Sequence, residues 1–255
     1  MRLVLTPLPD IPLVRTGADL VKIIFTGLSA GGINLQDGDI LVLAQKIVSK
    51  AEGRWVNLNS IQPSPQATTL SQEIEKDARI VELVLRESNQ VLRTRPGTII
   101  VEHRLGFVCA NAGIDHSNVA GKGDFSEEWV LLLPEDPDAS AQAIRKDLEA
   151  NSGIRLGVMI IDSHGRAWRQ GVVGVAIGLA GMPGVVDMRG KSDLFGYILK
   201  ITAIGAADEL AAAASLVMGQ ADEATPVVHV RGFPYPLRDG NLKELIRPKD
   251  PDLFR

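Results

Sequence analysis

The stretch from Gly171 to Val186 constrains this chain most: sixteen weakly polar residues interrupted by five glycines and by Pro183. A bilayer-crossing helix needs about 20 apolar residues, and glycine and proline are poor helix formers, so no transmembrane segment is expected. Gly174, Gly178 and Gly181 mark a strand or loop on which another backbone packs closely, with a ligand at that backbone as the competing reading. A 45% hydrophobic content supplies a sizeable core and excludes disorder as the main state. Only 4% of residues are aromatic, which leaves few platforms for stacking bases. With 27 cationic and 31 anionic side chains the net charge is −4, so bulk charge holds neither nucleic acid nor an anionic membrane. Cys109, the single cysteine, has no internal disulfide partner, and Met1-Arg2-Leu3-Val4 opens no secretory signal. These features suit a cytoplasmic enzyme of mixed α and β structure.

Leu3 to Leu8, punctuated by Pro7, Pro9 and Pro12, reads as an edge strand entering an extended loop. Leu20, Ile23 or Ile24, and Leu28 predict a helix capped by Thr16 and stopped at Gly31-Gly32. Asp39 to Ala44 follows as a buried strand. Thr69 with Gln72 forms a capping-box pattern, and Ile74, Ala78, Val81 and Leu85 predict one helix behind it. Beyond the turn signal Arg95-Pro96-Gly97, strands are expected at Thr98 to Glu102 and Gly106 to Ala110. A polar loop from Asn111 to Ser126 follows, then a strand from Glu128 to Leu133. Ala141, Ile144 and Leu148 predict a helix closed by Gly153. Leu156 to Ile161 then reads as a strand delivering Asp162 at its end. Leu194, Ile198 and Ile201 run into an alanine-rich helical stretch, Ala207 to Val217, broken near Gly205, and Pro226 to Arg231 is a last strand. Without an internal repeat or a long linker, residues 1–255 read as one domain.

Several familiar motifs fail. Arg189-Gly190-Lys191-Ser192 resembles the end of a phosphate-binding loop, but the required glycine falls at Val185. No GxGxxG, HExxH or GxSxG occurs, and His103, His116, His164 and His229 make no ligand pattern. What survives is a set of oxygen-bearing side chains after apolar strands: Asp115-His116-Ser117-Asn118, Asp162-Ser163, and Gln220 with Asp222 and Glu223. Magnesium and manganese take such hard donors together with phosphate oxygens and water. Asp and Asn equally serve as turn formers, so composition leaves both readings open. Lys46 and Lys50 follow the Asp39 to Ala44 strand, where they would neutralise phosphates or be solvated. Arg166 and Arg169, beside Asp162, would grip acidic groups or pair with local aspartates.

Ile47 to Gly53, Gly106 to Asp115 and Asn118-Val119 together resemble the coenzyme F420:L-glutamate ligase family. Arg95-Pro96-Gly97, Asp162 to Arg166 with Trp168 to Gly171, Asp208 to Ala211 and Pro226 to Gly232 extend the resemblance, in order, over nearly the whole chain. The resemblance implies an α+β fold of mixed and antiparallel sheets in an intertwined homodimer, with no flavin-reductase-like second domain. It implies GTP-dependent addition of L-glutamate to F420-0 through an acyl phosphate, with release of GDP and phosphate and extension of a γ-linked tail. Two divalent ions, Mn2+ or Mg2+, would bind Asp115, Asp162, Ser163 and Gln220, with K+ as a further cation. The nucleotide contacts it implies are Ile11, Pro12, Leu13 and Val14; Gln45, Lys46 and Lys50; Asn118; and the loop of Met218, Gly219, Gln220, Ala221, Asp222, Glu223, Ala224 and Thr225. Lys50, Asp115 and Asp162 would carry the chemistry, with Glu223 and His116 as alternative bases. Two other readings stand beside this one: a carboxylate–amine ligase acting on another acidic acceptor, and a catalytically inactive GTP-binding regulatory protein. Alignment of Lys50 with two carboxylates weighs against the latter, because a binder needs fewer aligned charges.

Overall fold

The computed structural model describes residues 2–119, 128–250 and 252–253. Strand β1 (Val4–Pro7) ends at the first of the closely spaced prolines and lies at the edge of the main sheet, where a missing N–H costs no ladder bond. Helix α1 (Leu20–Ala30) buries Leu20, Ile24 and Leu28 on one stripe and stops at Gly31. Its cap is Asp19, whose carboxylate accepts from the Lys22 N–H at 2.9 Å, and not Thr16, which lies against Gly53. Strand β2 (Ile40–Ala44) is buried and runs without a loop into the short helix α2 (Gln45–Ala51), followed by β3 (Trp55–Asn57).

The single helix predicted behind Thr69 is two. Helix α3 (Pro65–Glu73) is capped by Ser64, with Pro65 at its first position, so Thr69 and Gln72 lie inside it. Glu75 then takes φ +52°, which no helix tolerates, and Asp77 caps a second helix, α4 (Ala78–Arg86), through the Arg79 N–H at 2.8 Å. Ile74 and Val81 keep helical spacing because both enter one satellite core with Ala67 and Val84, not because the helix is continuous.

Strands β4 (Ser88–Arg95) and β5 (Thr98–His103) form a hairpin about Pro96-Gly97, and β6 (Val108–Ala110) pairs with β5. Of the expected polar loop, residues 120–126 lie outside the described residues. Strand β7 (Trp129–Leu131) pairs with β3, and helix α5 (Pro137–Ser152) ends at Gly153, which takes φ +72° as its left-handed cap. The next predicted strand is longer than its apolar run. Strand β8 (Gly157–Arg166) continues through Asp162 and turns into β9 (Arg169–Ala180), so Asp162 sits within the strand and not at its end. Strands β10 (Val186–Asp187) and β11 (Ala203–Ile204) pair at the base of a long excursion. Leu194, Ile198 and Ile201 lie there in exposed, non-helical chain, and the helix α6 (Ala206–Met218) begins only after Gly205. Apolar residues at helical spacing with no core to face adopt no helix. Strand β12 (Val227–Arg231) completes the sheet.

The main sheet is mixed, in the order β1-β12-β2-β8-β9, with β2 and β8 as its parallel pair. Alternate residues divide two cores. Leu41, Leu43, Val158 and Ile160 pack with α1, α2 and α5, while Ile40, Val42, Met159 and Ile161 pack with α6. The glycines of β9 allow this layering: a Cβ on Gly174 would collide with the Ala211 carbonyl, and one on Gly178 with the backbone of Pro137. Buried Asp39 ties the start of β2 to the end of β12 by accepting from Arg231 Nε at 2.9 Å and Nη2 at 2.7 Å. The architecture is α+β with mixed and antiparallel sheets, as the resemblance implies.

Candidate active site

The parallel pair β2 and β8 sets the site. Ala44 lies opposite Ile161, so Gln45 and Lys46, the first residues of α2 after the end of β2, come level with Asp162 in the middle of β8. Asp115 arrives from the loop after β6, pinned by reciprocal backbone bonds to Leu131 of β7 at 2.9 and 3.0 Å. One of its carboxylate oxygens accepts from Gln45 Nε2 and the other faces Lys46 Nζ at 3.1 Å. The Ser49 hydroxyl, donating to Gln45 Oε1 at 2.9 Å, fixes which way that amide points.

Helix spacing then places Lys50 one turn beyond Lys46. Lys46 donates to the carbonyl and hydroxyl of Ser117, each at 3.1 Å, and Lys50 to the carbonyl of Asn118 at 2.7 Å. Asn118 takes φ +56°, a conformation its short amide tolerates, and donates through Nδ2 to the Ala221 carbonyl at 3.0 Å. Within the 218–225 turn, Glu223 accepts from the Ala221 N–H at 2.8 Å and Thr225 donates to the Met218 carbonyl at 3.0 Å. Gly219 and Ala224 hold left-handed backbone, and Asp222 is exposed. Along the other side of α2 runs the Ile11 to Val14 segment: Val14 is buried in the core that holds Ile47 and Val48, Pro12 and Leu13 are exposed, and the Gly17 N–H reaches the Ala51 carbonyl at 2.8 Å.

Adjacent strand residues face opposite ways, so Ser163 parts from Asp162 and donates to Gln220 Oε1 at 2.9 Å, while Gln220 Nε2 donates to Ser215 at 2.9 Å. Asp162 keeps company with His164, whose Nε2 lies 3.0 Å from its Oδ2. The His164 ring tilts against Phe107, which stacks on His103 with centroids 5.1 Å apart. Nothing in the expected ligand pattern singled out His164. The signal was its two-residue offset from Asp162 on a strand, which puts both on one face. Arg166 and Arg169 are not brought to this centre. They sit toward the hairpin turn, where Arg166 reaches the Gln170 carbonyl. His116 and Glu223 are exposed at the rim.

The electrostatics favour a cation. Burial pushes the Asp115 carboxyl up to about 6, the Asp162 charge adds to this, and Lys46 and Gln45 oppose it. Burial lowers Lys50, with Lys46 adding to the effect and Asp115 opposing it. Burial and Asp162 push the Cys109 thiol up to about 12, so it is no nucleophile at neutral pH. The two mutually repelling carboxylates, Asp115 and Asp162, are hard oxygen donors of the kind that Mg2+ or Mn2+ takes. Among the described residues no three His, Cys, Asp or Glu side chains cluster as metal ligands, so such an ion would lean on substrate phosphates and water.

Sequence comparison fits this geometry. The family model for F420-0:gamma-glutamyl ligase matches residues 10–232. The coenzyme F420:L-glutamate ligase of Methanothermobacter thermautotrophicus is 48% identical over 246 residues, which cover 96% of this chain and 95% of the relative. The protein of the same name from Methanopyrus kandleri is 47% identical over 98% of this chain and 96% of its own length. That from Archaeoglobus fulgidus is 40% identical over 100% and 97%. The chain belongs to the F420-0:gamma-glutamyl ligase family.

Proposed function

We propose that this protein joins L-glutamate to coenzyme F420-0 at the expense of GTP, forming a C–N bond, releasing GDP and phosphate, and extending the γ-linked tail in further rounds. The observation that carries the reading is the convergence of Gln45, Lys46, Lys50, Asp115 and Asn118 with the 218–225 turn, all joined by hydrogen bonds. An amine does not displace a carboxylate oxygen at useful rates, so the acceptor carboxylate first takes the γ-phosphoryl group as an acyl phosphate, which the glutamate amine opens. Phosphoryl transfer of this kind needs positioning and charge neutralisation more than covalent help from the protein. Lys46 and Lys50 supply cations for the phosphates, and the left-handed Asn118 holds the loop against the 218–225 turn. Asp115, Asp162, Ser163 and Gln220 are the residues to hold two divalent ions, which would spread the charge of the transferring group. K+ is a further cation of the proposed reaction. Ser163 and Gln220 bond each other and not Asp162, so they form a second locus beside the Asp115–Asp162 pair.

A homodimer in the cytoplasm completes the proposal. Its support is the 187–204 excursion, on which Leu194, Phe195 and Ile201 are 97%, 95% and 90% exposed, an apolar display that a monomer in water disfavours. Among the described residues no helix is long and apolar enough to cross a membrane. The deciding assay is GDP release with Mn2+, GTP and L-glutamate, with and without F420-0, alongside the product mass. Acceptor-dependent release with gain of glutamyl units, abolished in Asp115→Ala and Asp162→Ala, is expected. GTP binding without acceptor-dependent turnover would overturn the acceptor assignment.

A further inference from the structure

The two carboxylate oxygens of Asp115 have partners of different kinds. Oδ2 accepts from Gln45, which is buried and whose amide is fixed in turn by the fully buried Ser49 hydroxyl at 2.9 Å, so this partner is locked. Oδ1 pairs with Lys46 Nζ at 3.1 Å, and both side chains keep surface in solvent, 27% for Lys46 and 21% for Asp115. An ammonium group carries three hydrogens. Those of Lys46 are matched by three oxygens, Asp115 Oδ1 and the Ser117 carbonyl and hydroxyl, each at 3.1 Å, so as it stands the group has no donor left for a phosphate.

We propose that Lys46 is a resident cation of the site, which a divalent ion displaces from Asp115 Oδ1, freeing the ammonium group for a phosphate. This rests on the metal and phosphate roles of the ligase reading above and deepens it. Charge favours the exchange. The Asp162 charge bears on Asp115, so the pair presents two negative charges to one lysine, and an ion of charge +2 answers both. Two cations cannot share one oxygen without repelling each other at close range. Lys46 is the group that can leave, because its charge rides on a flexible four-carbon stem, whereas Gln45 and Ser49 are held in the interior. One side chain thereby links ion binding to phosphate binding, and the oxygen of Asp115 that receives the ion is Oδ1.

The test titrates nucleotide-free protein with Mn2+ and reads the unbound ion by electron paramagnetic resonance, with Asp115→Ala as the baseline. Lys46→Met and Lys46→Gln both remove the charge, and the second keeps a donor for Ser117 should the first not fold. Each is expected to bind Mn2+ about tenfold more tightly than wild type, because Asp115 loses the counter-charge that the ion then supplies. Lys46→Arg keeps the charge and is expected to stay within about threefold of wild type. In the GDP-release assay the neutral variants are expected to raise the KM for GTP about tenfold. A lysine that serves phosphate alone would not alter Mn2+ binding in the absence of nucleotide. Mn2+ affinity equal to or weaker than wild type in the neutral variants would therefore overturn the exchange while leaving an active ligase intact. Tighter Mn2+ binding with the GTP KM within about twofold of wild type would overturn the release toward phosphate. The titration contains no GTP, L-glutamate or F420-0, so tightened Mn2+ binding supports the exchange even if F420-0 proves not to be the acceptor.

Discussion

Asn118 donates through its side-chain amide to the carbonyl of Ala221 at 3.0 Å, joining loops 103 positions apart in the chain. Lys50 clamps the same residue from the other side through the Asn118 carbonyl at 2.7 Å. The asparagine therefore acts as the rivet between helix α2 and the 218–225 turn, and it makes both contacts from left-handed backbone at φ +56°.

Replacing Asn118 by glycine keeps the φ of +56° accessible while removing the donor. Loss of one such bond costs about 1 kcal/mol. A rise of roughly five- to tenfold in the KM for GTP is expected in steady-state assays, with the thermal midpoint nearly unchanged. An unaltered KM would show that the rivet does not shape the nucleotide site.

The glycines of the β8–β9 hairpin divide sharply in their tolerance. A Cβ at Gly174 meets the Ala211 carbonyl and the Ser215 side chain, whose hydroxyl receives Gln220. At Gly165 nothing lies within 4 Å and φ is ordinary. Gly174→Ala should lower stability by about 1–3 kcal/mol, the range of overpacked cores, and, with Mn2+ at the proposed site, should weaken the rise in melting temperature by displacing the Ser215–Gln220–Ser163 chain. Gly165→Ala should stay within about 0.5 kcal/mol of the parent. Calorimetric scans with and without Mn2+ check both.

The same contrast explains what the sequence disclosed. Edge strand, buried strands and the Gly153 stop are legible because each rests on local chemistry: prolines, short continuous apolar runs, a left-handed cap. The spacing from Thr69 to Leu85 predicts one helix where there are two, because Ile74 and Val81 share a tertiary core that spacing cannot distinguish from a continuous helix. Leu194, Ile198 and Ile201 imitate a helical stripe although they face no core within the chain. At the site, Asp115 and Asp162 were visible as oxygens after apolar segments, and their mutual repulsion required the fold. Helix α2 escaped notice because seven residues carry too little periodicity, though it positions Gln45, Lys46 and Lys50. His164 carries no motif signal because its partner Asp162 lies only two positions away on a strand, a spacing that ligand motifs on helices do not use.

His103 gives the fold a dependence on acid. Burial pushes its pKa down to about 4, with the nearby Glu87 opposing, and its Nδ1 accepts from the Leu105 N–H at 3.1 Å as a neutral ring. In the unfolded chain the same imidazole titrates near 6.5. The unfolded state therefore binds the extra proton between these values, and stability falls as pH is lowered from about 6.5 toward 4. The full span amounts to about 3 kcal/mol. Chemical denaturation at pH 7.5 and pH 5 should show about 2 kcal/mol of this loss, and His103→Gln, although less stable at neutral pH, should show a flatter slope. Equal slopes in the two proteins would assign the acid sensitivity elsewhere.

The apolar excursion between β10 and β11 tests the assembly. Leu194 and Phe195 are almost fully exposed at its turn, where Asp193 accepts from the N–H groups of Phe195 and Tyr197 and thereby shapes the loop without burying the side chains. Burying a leucine and a phenylalanine in a partner is worth about 1.5–3 kcal/mol each. Symmetry counts each contact twice in a dimer of the isologous kind. Leu194→Asp with Phe195→Asp should therefore shift a dimer toward monomer by several orders of magnitude in dissociation constant, read by light scattering across a dilution series. Because neither side chain supports the core, the monomer should keep the wild-type circular dichroism spectrum. A parent protein that scatters as a monomer at all concentrations would remove the homodimer, and a variant dimer of unchanged affinity would move the interface to another face.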